Sequence, residues 1–255
     1  MPPTHVETPD APAKDMSITV GWNTAQAVGI TREEMDAWAA RSHQRAIAAM
    51  DAGKFVDEIL PLKIQQLDGS VVDFSVDEHP RRDTTAEKLA ALKVLHPEIE
   101  GFSITAGNSS GTNDACAAVA VVDRAYAAAE KLTVMATVKA WAAAGVPPRD
   151  TGLGAVKAIA KVLERAGLKP SDVALWEVNE AFASVPIAAC REFGLVLDPS
   201  CGVASFLTTF ARRIAVTGGD SEKEKLRALS ANVLIGVDKS ERMIRLALTS
   251  FALLG

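Results

Sequence analysis

The feature that most constrains this chain is an alternation of strand-like and helix-like segments between Thr133 and Gly194. "TVMATVKAWAAAG" (133–145) reads as a buried strand running into an edge or loop, and "GLGAVKAIAKVLERAGL" (152–168) as an amphipathic helix ended at Gly167. "DVALWEVNEAFA" (172–183) reads as a strand and turn, and the helix that follows to Gly194 is apolar on most faces, so it should be buried. Strand, helix, strand, helix in that order implies an α/β layer.

With 255 residues, 48% of them hydrophobic and 23% charged, the chain can bury one sizeable core or two modest ones, which argues against general disorder. A net charge of -5 gives no support for a nucleic-acid partner. Cys116, Cys190 and Cys201 show no CxxC spacing, and His5, His43, His79 and His96 are scattered, so neither a metal site nor a disulfide framework is expected. No segment reads as a signal sequence or a membrane span, and a cytoplasmic location is expected.

Upstream, residues 1–15 lack periodicity and read as a flexible tail. Thr31 is a helix N-cap candidate with Glu34 three residues on, and Met35, Trp38, Ala39, Ser42, Ala46 and Ala49 follow at helical spacing until Gly53. Apolar stretches on either side of Asp68-Gly69 suggest a hairpin. Residues 81–100 are polar and weakly helical, an excursion laid over a neighbouring body.

Three stretches carry a resemblance: "GITREEMDAWAARSHQRAIAAMDAGKFVDEILPL" (29–62), "TAGNSSGTNDACAAV" (105–119) and "GLKPSDVALWEVNEAFA" (167–183). Together they make residues 16–194 resemble the thiolase family, acyltransferases that cleave or form β-ketoacyl thioesters of coenzyme A. The resemblance implies a loop domain over residues 16–100, draped on the substrate, and part of the second core domain over 101–194. It places Ser110 beside the pantetheine arm and gives Asn179 a water that helps bind the thioester oxygen. Taken alone, Asn179 also fits a turn or capping residue.

The family's first core domain with its nucleophilic cysteine, its "GHP" histidine and its second cysteine before a "GGG" segment are not found. Cys116 and Cys190 read as small buried hydrophobes, and His43 and His79 as surface or local hydrogen-bonding residues. The resemblance therefore implies a thiolase-like acyl-CoA acyltransferase fragment, of fatty-acid or sterol-type β-oxidation, that is inactive alone. It requires no cofactor, has an acyl-CoA thioester as candidate ligand, and forms a homo-oligomer or depends on a missing domain partner.

"LDPSCGVASFL" (197–207) resembles the first motif of adenine-specific DNA methyltransferases, with Ala204 where a glycine is expected. By that resemblance Asp198, Gly202 and Asp238 would contact S-adenosylmethionine. On the residues alone, Gly202 also fits an ordinary strand-to-helix turn and Asp238 a helix cap. The expected fold is α/β, a partial thiolase fold joined to a partial Rossmann-like methyltransferase βαβ segment at 195–255, a chimera with its junction inside residues 191–215. A non-catalytic, self-associating protein and an S-adenosylmethionine-binding remnant are the alternative functions.

Overall fold

The computed structural model describes residues 5–195 and, beyond them, the strand Ile235–Val237. A helical segment opens with wide π-type turns at Ser17–Trp22 and tightens into α1 (Asn23–Val28), which Gly29 ends in the left-handed conformation at φ +68°. Helix α2 (Arg32–Asp51) follows, as the Thr31 pattern predicts. The Thr31 hydroxyl accepts from the Glu34 N–H at 3.2 Å and the Glu34 carboxylate accepts from the Thr31 N–H at 2.8 Å. This reciprocal cap satisfies two donors that the first turn would otherwise leave open.

The expected hairpin is present: β1 (Leu62–Gln65) pairs antiparallel with β2 (Val71–Phe74). Gly69 turns the chain at φ +85°, and the Asp68 carboxylate accepts from the Ser70 N–H at 2.9 Å. Within the polar stretch 81–100 only α3 (Ala86–Ala90) is helical, capped by the Thr85 hydroxyl. Helix α4 (Arg124–Ala129) comes next; residues 133–145, expected as a buried strand, form none. Val134, Val138 and Trp141 are 57%, 60% and 72% exposed, because an apolar pattern records the tendency to be covered and not the neighbour that covers it.

A 3₁₀ segment, Pro148–Leu153, feeds α5 (Gly154–Ala166), stopped by Gly167 at φ +67° as the sequence indicates. Strand β3 (Trp176–Val178) is buried throughout and leads through a turn into helix α6 (Ser184–Phe193), which is buried from Ser184 to Ala189 and emerges at Arg191. The last described element, β4 (Ile235–Val237), pairs parallel with β3, with Glu177 opposite Gly236. The β3–β4 pair therefore joins strands from either side of the junction expected within residues 191–215.

One hydrophobic core joins these parts. It holds Val20, Ala25, Met35, Trp38, Phe102, Ile104, Ile159, Val178 and Phe182, drawn from both sides of residue 100. The segment 17–28 runs through its centre at close range. A side chain on Gly21 would place its Cβ 2.8 Å from the Phe182 ring, and the Ser184 hydroxyl donates to the Gly21 carbonyl at 2.9 Å.

Residues 5–15 are attached to this body. Ala11 is buried, Asn23 Nδ2 donates to the Asp10 carbonyl at 2.7 Å, and His96 bridges Asp15 at 2.7 Å and Glu98 at 2.8 Å through its two ring nitrogens. The hydrogen bond to Glu98 is the largest cause that raises the His96 pKa above the usual histidine value; burial comes next and opposes it, and the charge and hydrogen bond of Asp15 add to the rise. A group whose pKa is raised by folding adds stability below its unfolded pKa, near 6.5, and loses that contribution as pH rises through the folded value. His96→Gln should therefore lower the melting temperature more at about pH 6 than at about pH 9. Thermal unfolding of both proteins across that range checks it, and an equal deficit at both ends would remove His96 from the pH dependence.

Candidate active site

The two loops that carry the resemblance meet beneath the segment 17–28. The Ser110 N–H donates to the Ala181 carbonyl at 3.0 Å, the Ala183 N–H donates to the Asn108 carbonyl at 3.0 Å, and Ser109 bridges antiparallel to Phe182. A short ladder thus fixes loop 105–111 against loop 179–183, with Ser110 exposed at its rim and Asn179 half-buried at the end of β3.

Loop 105–111 is held from inside by Asn108, which is 2% exposed. Its Nδ2 donates to Asp36 Oδ1 at 3.0 Å and to the Ser103 carbonyl at 3.1 Å, while its Oδ1 accepts from the Thr105 N–H at 2.9 Å. Asp36 is itself buried and takes a 2.6 Å contact from Arg32 Nε one helical turn back on α2. Arg32 also donates to the Leu89 and Leu92 carbonyls, so the same chain of contacts reaches the end of α3. The Asn108 amide and both Asp36 oxygens thus have partners, which is what lets such groups sit in this interior, whereas the Ser103 hydroxyl is buried without one among the described residues.

Loop 179–183 is held from the other side by α2. Trp38 Nε1–H donates to Glu180 Oε1 at 3.1 Å and the Ser42 hydroxyl donates to Glu180 Oε2 at 2.8 Å. Asn108, Asp36, Arg32 and Glu180 were not singled out from the sequence as site residues. The only signal available was that Trp38 and Ser42 lie one turn apart on the inner face of α2.

At the rim, a Cβ on Gly111 would lie 2.7 Å from His79 Nδ1, so the chain leaving Ser110 passes directly over that imidazole. The His43 and His79 rings stand 5.8 Å apart, and His43 Nδ1 accepts from the Arg81 N–H at 3.1 Å. Burial, with the neighbouring His79 and Arg81 adding to it, holds the His43 pKa below the usual value and favours the neutral ring.

Cys116 is exposed, contrary to its reading as a buried hydrophobe. Cys190 is half-buried, and burial pushes its thiol pKa up to about 11, which keeps it a thiol rather than a nucleophilic thiolate. Asp198, Gly202 and Asp238 lie outside the described residues. Among the described residues no group of three His, Cys, Asp or Glu side chains could hold a metal ion, and no helix is long and apolar enough to cross a membrane.

Set against known proteins, residues 10–125 match the family description "Thiolase, N-terminal domain" and residues 132–220 match "Thiolase, C-terminal domain". The chain belongs to the thiolase family. It is 45% identical over 172 residues to an acetyl-CoA acetyltransferase of Pseudomonas aeruginosa, covering 68% of this chain and 43% of that protein. To the 3-oxoadipyl-CoA/3-oxo-5,6-dehydrosuberyl-CoA thiolase of Escherichia coli it is 44% identical over 176 residues, covering 69% of this chain and 43% of that thiolase. The fold matches the crystal structure of the Bacillus anthracis acetyl-CoA acetyltransferase with a TM-score of 0.64 at 32% identity, covering 78% of this chain and 52% of that one. Human mitochondrial 3-ketoacyl-CoA thiolase gives 0.61 at 34% identity, over 70% and 45% of the two chains. The chain thus spans less than half the length of these curated relatives.

These matches correct the sequence reading in three respects. The expectation of a chain without the first thiolase domain gives way to matches to both domain descriptions. The methyltransferase-like segment at 195–255, and with it the chimera, is overturned because the thiolase C-terminal match runs on through the expected junction to residue 220. Asp198 and Gly202 therefore fall within thiolase sequence, and the assignment of these two and Asp238 to S-adenosylmethionine loses its basis. Finally, thiolase similarity along most of the chain argues against an inactive fragment, a purely self-associating protein and a methyltransferase remnant alike.

Proposed function

We propose that this chain acts in thiolase-type acyl transfer to and from coenzyme A, with Asn179 holding a water against the thioester oxygen and Ser110 beside the pantetheine arm. The observation that supports this reading is the ladder between loops 105–111 and 179–183, which ties the backbone of Ser110 to Ala181, two residues beyond Asn179, across a long separation in sequence. Negative charge that develops on a thioester oxygen is best stabilised by donors fixed before the reaction, in a pocket with little free water. Loop 179–183 supplies that fixity, since its backbone is bonded to loop 105–111 and its Glu180 to α2. The raised pKa of Cys190 counts against it as acyl carrier, so its part is packing.

The reading includes a linear or cyclic β-ketoacyl thioester as substrate, a cytoplasmic location, and the division at residue 100 into a draping region and a core region. It also includes a homo-oligomer, for which exposed Val134, Val138 and Trp141 offer apolar surface; a monomer at all concentrations in sedimentation would remove that part. The central test is coenzyme A-dependent consumption of acetoacetyl-CoA by the purified chain. Asn179→Ala should lower the rate about 10²-fold, the effect of losing one oxyanion donor. Equal rates in the two proteins, or a parent chain that neither turns over nor binds the thioester, would sink the reading.

A further inference from the structure

We propose that Glu180 is a positioning residue for Asn179, and that Trp38 and Ser42 of α2 act on the thioester site through it. This rests on the functional reading above for its consequence, although the positioning itself is a property of the unliganded chain. Each oxygen of the Glu180 carboxylate has its own donor on α2, Trp38 Nε1–H at 3.1 Å and the Ser42 hydroxyl at 2.8 Å. Two donors on two oxygens fix the plane of a carboxylate as well as its position, and hydrogen bonds to a charged acceptor are stronger than neutral ones.

The donors are themselves held. Trp38 is 6% exposed within the main core, with the Arg41 guanidinium 5.2 Å from its ring centre, and α2 is fixed by its capping box and the Arg32–Asp36–Asn108 chain. Asn179 is the immediate neighbour of Glu180 and carries no such clamp of its own among the contacts described above. On its C-terminal side the loop is tied at Ala181 and Ala183 to loop 105–111. Asn179 therefore sits between buried β3 and a residue bolted to a different element. A shift of the Glu180 carboxylate that its own side-chain torsions do not absorb is taken up at the Glu180 Cα, and hence in the φ of Glu180 and the ψ of Asn179. A helix that belongs to the draping region thereby sets the geometry of an amide in the core region.

The experiment follows the Asn179 side-chain amide by nitrogen-15 nuclear magnetic resonance in the unliganded chain, its signals assigned by their loss in Asn179→Ala. Trp38→Phe removes one donor and keeps the ring, and Ser42→Ala removes the other. Both should move the Asn179 amide signals by more than a linewidth, while Glu180→Gln, which keeps one acceptor oxygen, should move them less than Glu180→Ala. Acetyl-CoA affinity, read by calorimetry, should fall about five-fold in Trp38→Phe, the scale of one net hydrogen bond, and this loss should vanish in an Asn179→Ala background. Because Trp38→Phe could loosen the core, Ser42→Ala with an unchanged melting temperature is the decisive variant. Asn179 signals that stay in place in Ser42→Ala and Trp38→Phe would overturn the inference. If the signals move but the parent chain binds no thioester, the positioning stands and only the functional reading fails.

Discussion

Asn108→Ala should lower the stability of this chain by about 2–4 kcal/mol, the scale of stranding buried polar and charged partners. The side chain is the hub through which Asp36, the Ser103 carbonyl and the Thr105 N–H are satisfied, all in a part of the interior where Asn108 is 2% exposed. Alanine leaves one Asp36 oxygen and one backbone N–H without partners and leaves a void that water must enter at a cost. Urea unfolding checks the magnitude, and a change under about 0.5 kcal/mol, the range of ordinary surface substitutions, would show that the network relaxes freely. A companion variant isolates the electrostatics. Asn108→Asp sets a second carboxylate where an amide now donates to Asp36 Oδ1 at 3.0 Å, and two buried carboxylates at that distance cannot both ionise. One member of the pair then has a folded pKa above its unfolded value. Its stabilising contribution is present below the unfolded pKa, near 4, and is lost as pH rises through the folded value, so the deficit of this variant should grow from about pH 4 to about pH 8.

The parts of this fold that could be read from sequence are those decided by neighbours in the chain. The Thr31–Glu34 box, the Asp68-Gly69 turn and the glycine that ends α5 each act within a few residues, and each is present where its pattern predicts. The β3 to α6 order was legible because a buried three-residue strand and an apolar helix leave few other arrangements. What could not be read depends on residues far apart. Asp36 and Asn108 are separated by 72 positions and Ser42 and Glu180 by 138, and nothing in either local pattern marks one as the partner of the other. Asn179 and Ser110 entered through family resemblance, whereas the residues that hold their loops needed the contacts. The reading of residues 195–255 erred for a related reason. A strand running into a glycine turn and a helix is a local solution that many folds share, so a short Asp-Pro-x-Cys-Gly phrase identifies a turn more securely than a family.

Gly152→Ala should be comparably damaging, although it adds only a methyl group. A Cβ at this position would lie 2.0 Å from Thr24 Oγ1 and 2.5 Å from the Val20 carbonyl oxygen. Both contacts are far inside van der Waals distance, one of them is backbone, and Thr24 is 1% exposed, so nothing flexible can swing aside. Overpacking of this kind costs about 1–3 kcal/mol and occasionally more. For a domain of this size, a loss of about 3 kcal/mol lowers the melting temperature by roughly 6–12 °C. Thr24→Ala supplies the control, because the Thr24 hydroxyl is buried without a hydrogen-bond partner among the described residues and its removal should change stability little. In the double variant the clash with Oγ1 disappears while the Val20 carbonyl remains, so partial recovery is expected and full recovery would mean that the backbone gives way. The damage should also reach the site. The segment 17–28 that must move is the one whose Gly21 packs on Phe182 and accepts from Ser184, the residues that continue the loop from Asn179. On the proposed reading, thioester affinity should therefore fall in Gly152→Ala even at temperatures where the chain remains folded, and an unchanged affinity there would show that the segment 17–28 and loop 179–183 move independently.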